Sequence, residues 1–88
     1  MVLYKEFSNQ KYHVLEFIYK IGKKNDGVAN ITQQELADAN NISKQTVNNI
    51  MVWLRDNGFI LYMKRGKGYA ITKKGEHIVE FMVSKIKV

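Results

Sequence analysis

Thr32-Gln33-Gln34-Glu35-Leu36-Ala37-Asp38-Ala39, then Asn40-Asn41-Ile42, then Ser43-Lys44-Gln45-Thr46-Val47-Asn48-Asn49-Ile50, reads as helix, tight turn, helix. Thr32 and Glu35 have the spacing of a capping box, in which each side chain satisfies the other residue's backbone amide, so a helix is expected from Gln33. Leu36 and Ala37 supply its inward face, and the small Ala37 lets a neighbouring helix come close. Asn40 and Asn41 sit where the junction must be very short, and asparagine tolerates the left-handed backbone such turns require. Ser43 caps the next helix, expected over about 43–56. Its Val47, Ile50, Met51 and Leu54 fall at i, i+3, i+4 and i+7 and predict a buried stripe. The opposite face carries Lys44, Gln45, Asn48, Asn49 and Arg55, long or amide side chains able to bond phosphates and base edges.

Working outward, Asp56-Asn57-Gly58 ends that helix, with Gly58 suited to a left-handed C-terminal position. Phe59-Ile60-Leu61-Tyr62-Met63 and Gly68-Tyr69-Ala70-Ile71-Thr72 are strand-like, and Lys64-Arg65-Gly66-Lys67-Gly68 between them is a glycine-containing turn, giving a hairpin over about 59–72. Thr72 can cap a last helix over about 73–86. Upstream, a first helix is expected from near Ser8 or Asn9 to about Lys24, with Val14, Leu15, Ile18 and Ile21 as its inward stripe. Asn25-Asp26-Gly27 is a turn signal, and Val28-Ala29-Asn30-Ile31 fits a short strand. These elements predict an α+β domain spanning 1–88: a three-helix core, a β-hairpin and a C-terminal helix.

Composition narrows the partners. A chain of 88 residues holds one modest core, and 45% apolar content suits a globular protein. No run approaches the roughly 20 apolar residues of a membrane span. With no cysteine there is no disulfide framework, His13 and His77 stand far apart, and the start lacks the pattern of a signal peptide, so the cytoplasm is the expected compartment. Fourteen Lys and Arg against eight Asp and Glu give +6, which favours a polyanionic partner, nucleic acid first. A merely solubilising surface is the competing explanation. The charge is local, however: Lys64, Arg65, Lys67, Lys73 and Lys74 lie between Phe59 and Gly75 with no acid among them.

In a helix-turn-helix the second helix enters the major groove of double-stranded DNA with its N-terminal residues nearest the bases. That assigns Ser43, Lys44, Gln45, Thr46, Asn48 and Asn49 to the groove. Gln45 and Asn49 are expected at base edges, with Ser43, Lys44 and Thr46 positioning the helix; Ser43 can cap as well, and Asn48 could equally be an ordinary exposed residue. Arg65 at the hairpin tip is placed for a minor groove, flanked on phosphates by Lys64 and Lys67. Tyr62 and Tyr69 could stack on single-stranded bases, or pack their rings within the hairpin. Val52 and Trp53 fall off the inward stripe, and one of them could support a partner subunit. The last helix carries apolar residues around too much of its circumference for one core stripe. Ile78, Phe81, Met82 and Ile86 are therefore read as a homodimer interface, unless Leu3, Tyr4 and Phe7 cover them within one chain.

Together, Leu36-Ala37, Ile42-Ser43, Thr46-Val47, Ile50, Leu54, Asn57-Gly58-Phe59-Ile60, Arg65-Gly66-Lys67-Gly68-Tyr69 and Ile71-Thr72-Lys73-Lys74-Gly75 resemble the winged helix-turn-helix superfamily over Gln33 to Ile86. Resemblance to MarR-like regulators implies a homodimer on a promoter. The chain is also similar to TubR-type centromere-binding proteins in Ser43-Lys44-x-Thr46-Val47 and in Gly75-x-x-Ile78-Val79-Glu80-Phe81, which implies a dimer on repeated sites and a tubulin-like filament-forming GTPase as partner. No effector-binding segment is seen after the wing, which weighs against ligand sensing. An enzyme is not expected, since there is no phosphate-binding loop, nucleophile motif or paired histidine and carboxylate, and neither a cofactor nor a metal is implied. A winged helix used to bind protein is the non-enzymatic alternative.

Overall fold

The computed structural model describes residues 9–66 and 68–86. The first helix, α1 (Asn9–Lys23), buries Tyr12, Val14, Leu15 and Ile18, with Ile21 only half buried. Tyr12 extends the expected stripe: its ring enters the core while its hydroxyl donates to Glu16 Oε2 at 3.1 Å. The chain then reverses through Asp26 and Gly27, both at positive φ, and the Gly27 amide donates back to the Gly22 carbonyl at 2.7 Å.

The short strand β1 (Val28–Ala29) completes a sheet with β2 (Ile60–Tyr62) and β3 (Tyr69–Ile71). All pairings are antiparallel and β3 is central: Val28 faces Ala70 and Ala29 faces Tyr69 on one side, while Ile60 faces Ile71 and Tyr62 faces Tyr69 on the other. The hairpin expected from sequence is thus two strands of a three-stranded sheet. Gly68 makes the third strand possible. Its φ is +101°, and a β-carbon there would collide with the Ala29 carbonyl.

Helix α2 (Gln33–Asn40) begins with the capping box in full: the Glu35 amide donates to Thr32 Oγ1 at 3.1 Å, and the Thr32 amide to Glu35 Oε1 at 2.9 Å. It stops because Asn41 turns left-handed at φ +54°, and the Ile42 amide donates back to the Ala37 carbonyl. Helix α3 (Lys44–Asp56) starts on Ser43, whose Oγ accepts from the Thr46 amide at 3.0 Å, and buries the four stripe residues. Leu36 and Ala37 meet this face, so the turn sets the angle between two helices already joined by their cores.

Helix α4 (Lys73–Ile86) is capped by Thr72, whose Oγ1 accepts from the Gly75 amide at 3.0 Å and donates to the Gly58 carbonyl at 2.7 Å. It lies so close to Phe59, the residue before β2, that a β-carbon on Gly75 would meet the Phe59 carbonyl. Val79 is buried, and Tyr19 Oη donates to Glu80 at 3.1 Å, tying α1 to α4. Leu15, Ile18, Leu36, Val47, Met51, Leu54, Phe59 and Ile60 form the centre, and no polar side chain is buried among the described residues. Each such side chain contributes about 1.5–3 kcal/mol by leaving water.

The packing places two sets of apolar residues for which a partner subunit was considered. Trp53 is half buried at the edge of the core: its ring stacks on Phe59 at 5.9 Å and Lys11 Nζ sits 4.1 Å from its centroid. Ile78 and Met82, read as interface residues, are half buried against this core, leaving Phe81, 43% exposed, as the outward member of the set. The Ile86 side chain and the tail with Leu3, Tyr4 and Phe7 lie outside the described residues.

Candidate nucleic-acid interface

Because Val47, Ile50, Met51 and Leu54 fix one side of α3 in the core, the other side must face outward. Ser43, Lys44, Gln45, Asn48 and Asn49 are exposed there and Thr46 is half buried, so all six residues expected at the groove share the first two turns. Their side chains are partly organised already. Ser43 Oγ donates to Thr46 Oγ1 at 2.8 Å, and Gln45 Nε2 donates to Asn49 Oδ1 at 3.1 Å. Holding these groups before a ligand arrives reduces the entropy lost on binding.

Sequence reasoning passed over Gln33. It is the first residue of α2, half buried, and its Nε2 donates to Asn48 Oδ1 at 3.4 Å. Gln33 borders two open hollows: one of about 370 Å³ with Lys44, Gln45 and Asn48, and one of about 280 Å³ with Tyr62, Met63 and Gly68 of the wing. The capping box fixes Gln33 as the first residue of α2, but its approach to α3 spans 15 positions and carries no local signal.

The wing closes through the Met63 amide donating to the Gly68 carbonyl at 3.0 Å, with a tight 3-10 turn over Lys64–Gly66 and Gly66 at φ +67°. Lys64 is exposed. The Arg65 side chain and Lys67 lie outside the described residues. Tyr62 and Tyr69 meet edge to face at 5.2 Å across the strand pair, and the Arg55 guanidinium lies 4.8 Å from the Tyr62 ring. Partial burial raises the Tyr62 hydroxyl pKa, against the opposing pull of Arg55. Both rings are thereby engaged within the protein, the packing alternative to stacking on a single strand. Lys74 leaves the basic cluster: its Nζ donates to the Asn57 carbonyl at 2.7 Å, at the negative end of α3. His77 is exposed on α4, and no group of three or more metal-binding side chains occurs among the described residues.

This is a helix-turn-helix with a wing beside it, and residues 14–70 match the family model described as HTH domain; the chain belongs to that family. Solved structures carry the likeness further. A mutant of the regulator MepR from a multidrug-resistant Staphylococcus aureus clinical isolate is 27% identical with a TM-score of 0.73, over 96% of this chain and 61% of that one. MepR in complex with DNA is 21% identical with a TM-score of 0.75, over 93% of this chain and 58% of that one. The Mycobacterium tuberculosis transcriptional regulator MosR is 21% identical with a TM-score of 0.71, over 88% of this chain and 53% of that one. The chain therefore spans between half and two thirds of the length of these relatives. No curated protein sequence matches it.

Proposed function

We propose that this protein binds double-stranded DNA sequence-specifically, as a cytoplasmic homodimer that regulates transcription. The observation that carries the proposal is the two-sidedness of α3: Val47, Met51 and Leu54 have no exposed surface, while Lys44, Gln45, Asn48 and Asn49 stand outward beside the wing. Amide side chains at the start of such a helix match the hydrogen-bonding edges of bases, and Lys44 and Lys64 supply charge for phosphates on either side. MepR, of the same fold, has been crystallised on DNA. Two copies joined through α4 around Phe81 would place two recognition helices on a two-fold symmetric operator.

Partition with a tubulin-like GTPase, the other output that the sequence resemblance implied, draws no support from the matched structures. No described helix is long and apolar enough to cross a membrane. The test is to incubate the purified protein with fragmented DNA from its own replicon at near-physiological salt and sequence what is retained. A single promoter palindrome supports repression, whereas a tandem array would replace it with segregation. Retention no better than input would refute specific DNA binding and favour a winged helix that binds protein.

A further inference from the structure

Four side-chain amides share the exposed surface where α2 meets α3, and they are joined in two pairs. Gln45 donates to Asn49 within α3, and Gln33 donates to Asn48 from the neighbouring helix. A side-chain amide has one arm that only accepts and one that only donates. With Asn48 Oδ1 drawn toward Gln33 at 3.4 Å, the planar amide carries its Nδ2 hydrogens on the opposite side.

We propose that Gln33, although outside the recognition helix, determines base preference at one position by fixing which arm of the Asn48 amide faces the groove. The inference rests on the duplex-DNA reading. A free asparagine takes adenine by using both arms, accepting from N6 and donating to N7. Asn48 with its oxygen drawn toward Gln33 presents its Nδ2 donors on the opposite side, so it favours edges rich in acceptors, O6 and N7 of guanine or O4 of thymine, over the amino groups of cytosine and adenine. Gln33 thus acts on specificity through Asn48, from a place where substitution leaves every residue of α3 itself unchanged.

Replacing the donor with an acceptor should reverse the choice. In Gln33→Glu the carboxylate can only accept, so the pair persists when Asn48 turns Nδ2 toward residue 33 and Oδ1 toward the groove. The preferred base at one position then moves from guanine or thymine to cytosine or adenine, by roughly 5- to 150-fold in relative enrichment. The added negative charge also weakens binding to every sequence, a uniform change distinct from the switch. In Gln33→Leu the pair is lost and discrimination at that position alone relaxes.

The experiment selects duplexes from a randomised pool with the full-length wild type, Gln33→Glu and Gln33→Leu, and records the side-chain amide resonances of each free protein by NMR. Shifted Asn48 amide resonances in both variants, unmoved Gln45 and Asn49 resonances, and a one-position switch in Gln33→Glu are expected. An unshifted Asn48 amide in Gln33→Leu would overturn the proposal without reference to DNA. Uniform weakening of Gln33→Glu with an unchanged preferred sequence would also overturn it while leaving DNA recognition standing. Failure of the wild type itself to enrich any sequence would instead refute base reading, and this role with it.

Discussion

Replacing Gly75 with alanine should destabilise the protein, against the usual direction for a helical glycine. By intrinsic propensity alone, Gly→Ala inside a helix gains about 0.5–1 kcal/mol. Here the new β-carbon would overlap the Phe59 carbonyl and stand 2.7 Å from the Ile71 side chain. The carbonyl cannot easily retreat, because it accepts from the Thr72 amide at 3.1 Å and from Thr72 Oγ1 at 3.1 Å. Relief must come from lifting α4 off Phe59 and Ile71, which loosens Val79 and weakens the Thr72 cap. Overpacking of this kind costs about 1–3 kcal/mol, and partial loss of a cap about 0.5–2 kcal/mol. Setting the propensity gain against these leaves a net loss of about 0.5–4.5 kcal/mol. Urea unfolding followed by circular dichroism reads it directly: with a slope near 1 kcal/mol/M the midpoint should fall by about 0.5–4.5 M. A midpoint equal to or above wild type would refute the close approach of α4 to Phe59 and Ile71 from which the loss is derived.

Other positions give independent checks. Asn41→Ala should cost about 1–2 kcal/mol in the same assay because φ is +54°, whereas Asn41→Gly should be tolerated; equal effects would argue against the left-handed turn. Burial first, and then the hydrogen bond and charge of Glu16, push the Tyr12 hydroxyl up to about 12. Between pH 10 and 12 the unfolded chain therefore loses this proton before the folded one does. Stability present below pH 10 should fall across that window, and Tyr12→Phe should remove this part of the fall in pH-dependent unfolding. Lys64→Ala should weaken binding to cognate and random duplexes alike and lower the salt slope by about one unit, measured by anisotropy titrations at several salt concentrations; an unchanged slope would take Lys64 off the phosphates.

Much of this architecture was legible because its decisive signals are local. Thr32 and Glu35, Asn41, Ser43 and Thr72 each act within a few residues, and each does in the structure what its spacing implies. The stripe on α3 was readable for the same reason, since burial recurs with the helical period. What escaped the sequence depends on distant chain segments meeting. The pairing of β1 with β3 hinges on Gly68 lying against Ala29, and Trp53 finds Phe59 and Lys11 only after α1 and β2 have packed. Tyr12 was overlooked because a tyrosine can bury its ring and still satisfy its hydroxyl, here on Glu16. Within the candidate interface the α3 residues were found by periodicity. Gln33 was not, because its link to Asn48 crosses 15 positions and belongs to no single helix face. On α4 the apolar spread was visible, but only packing divides it into Val79 inside, Ile78 and Met82 at the edge, and Phe81 outside.

The central claim is that the exposed side of α3 reads bases. It is tested most directly by measuring the affinity of Gln45→Ala for the duplex retained from the replicon and for a random duplex of equal length, at one salt concentration. Loss of about 1–3 kcal/mol on the retained site, with binding to the random duplex nearly unchanged, is the predicted result. Equal loss on both, or none on either, would contradict it.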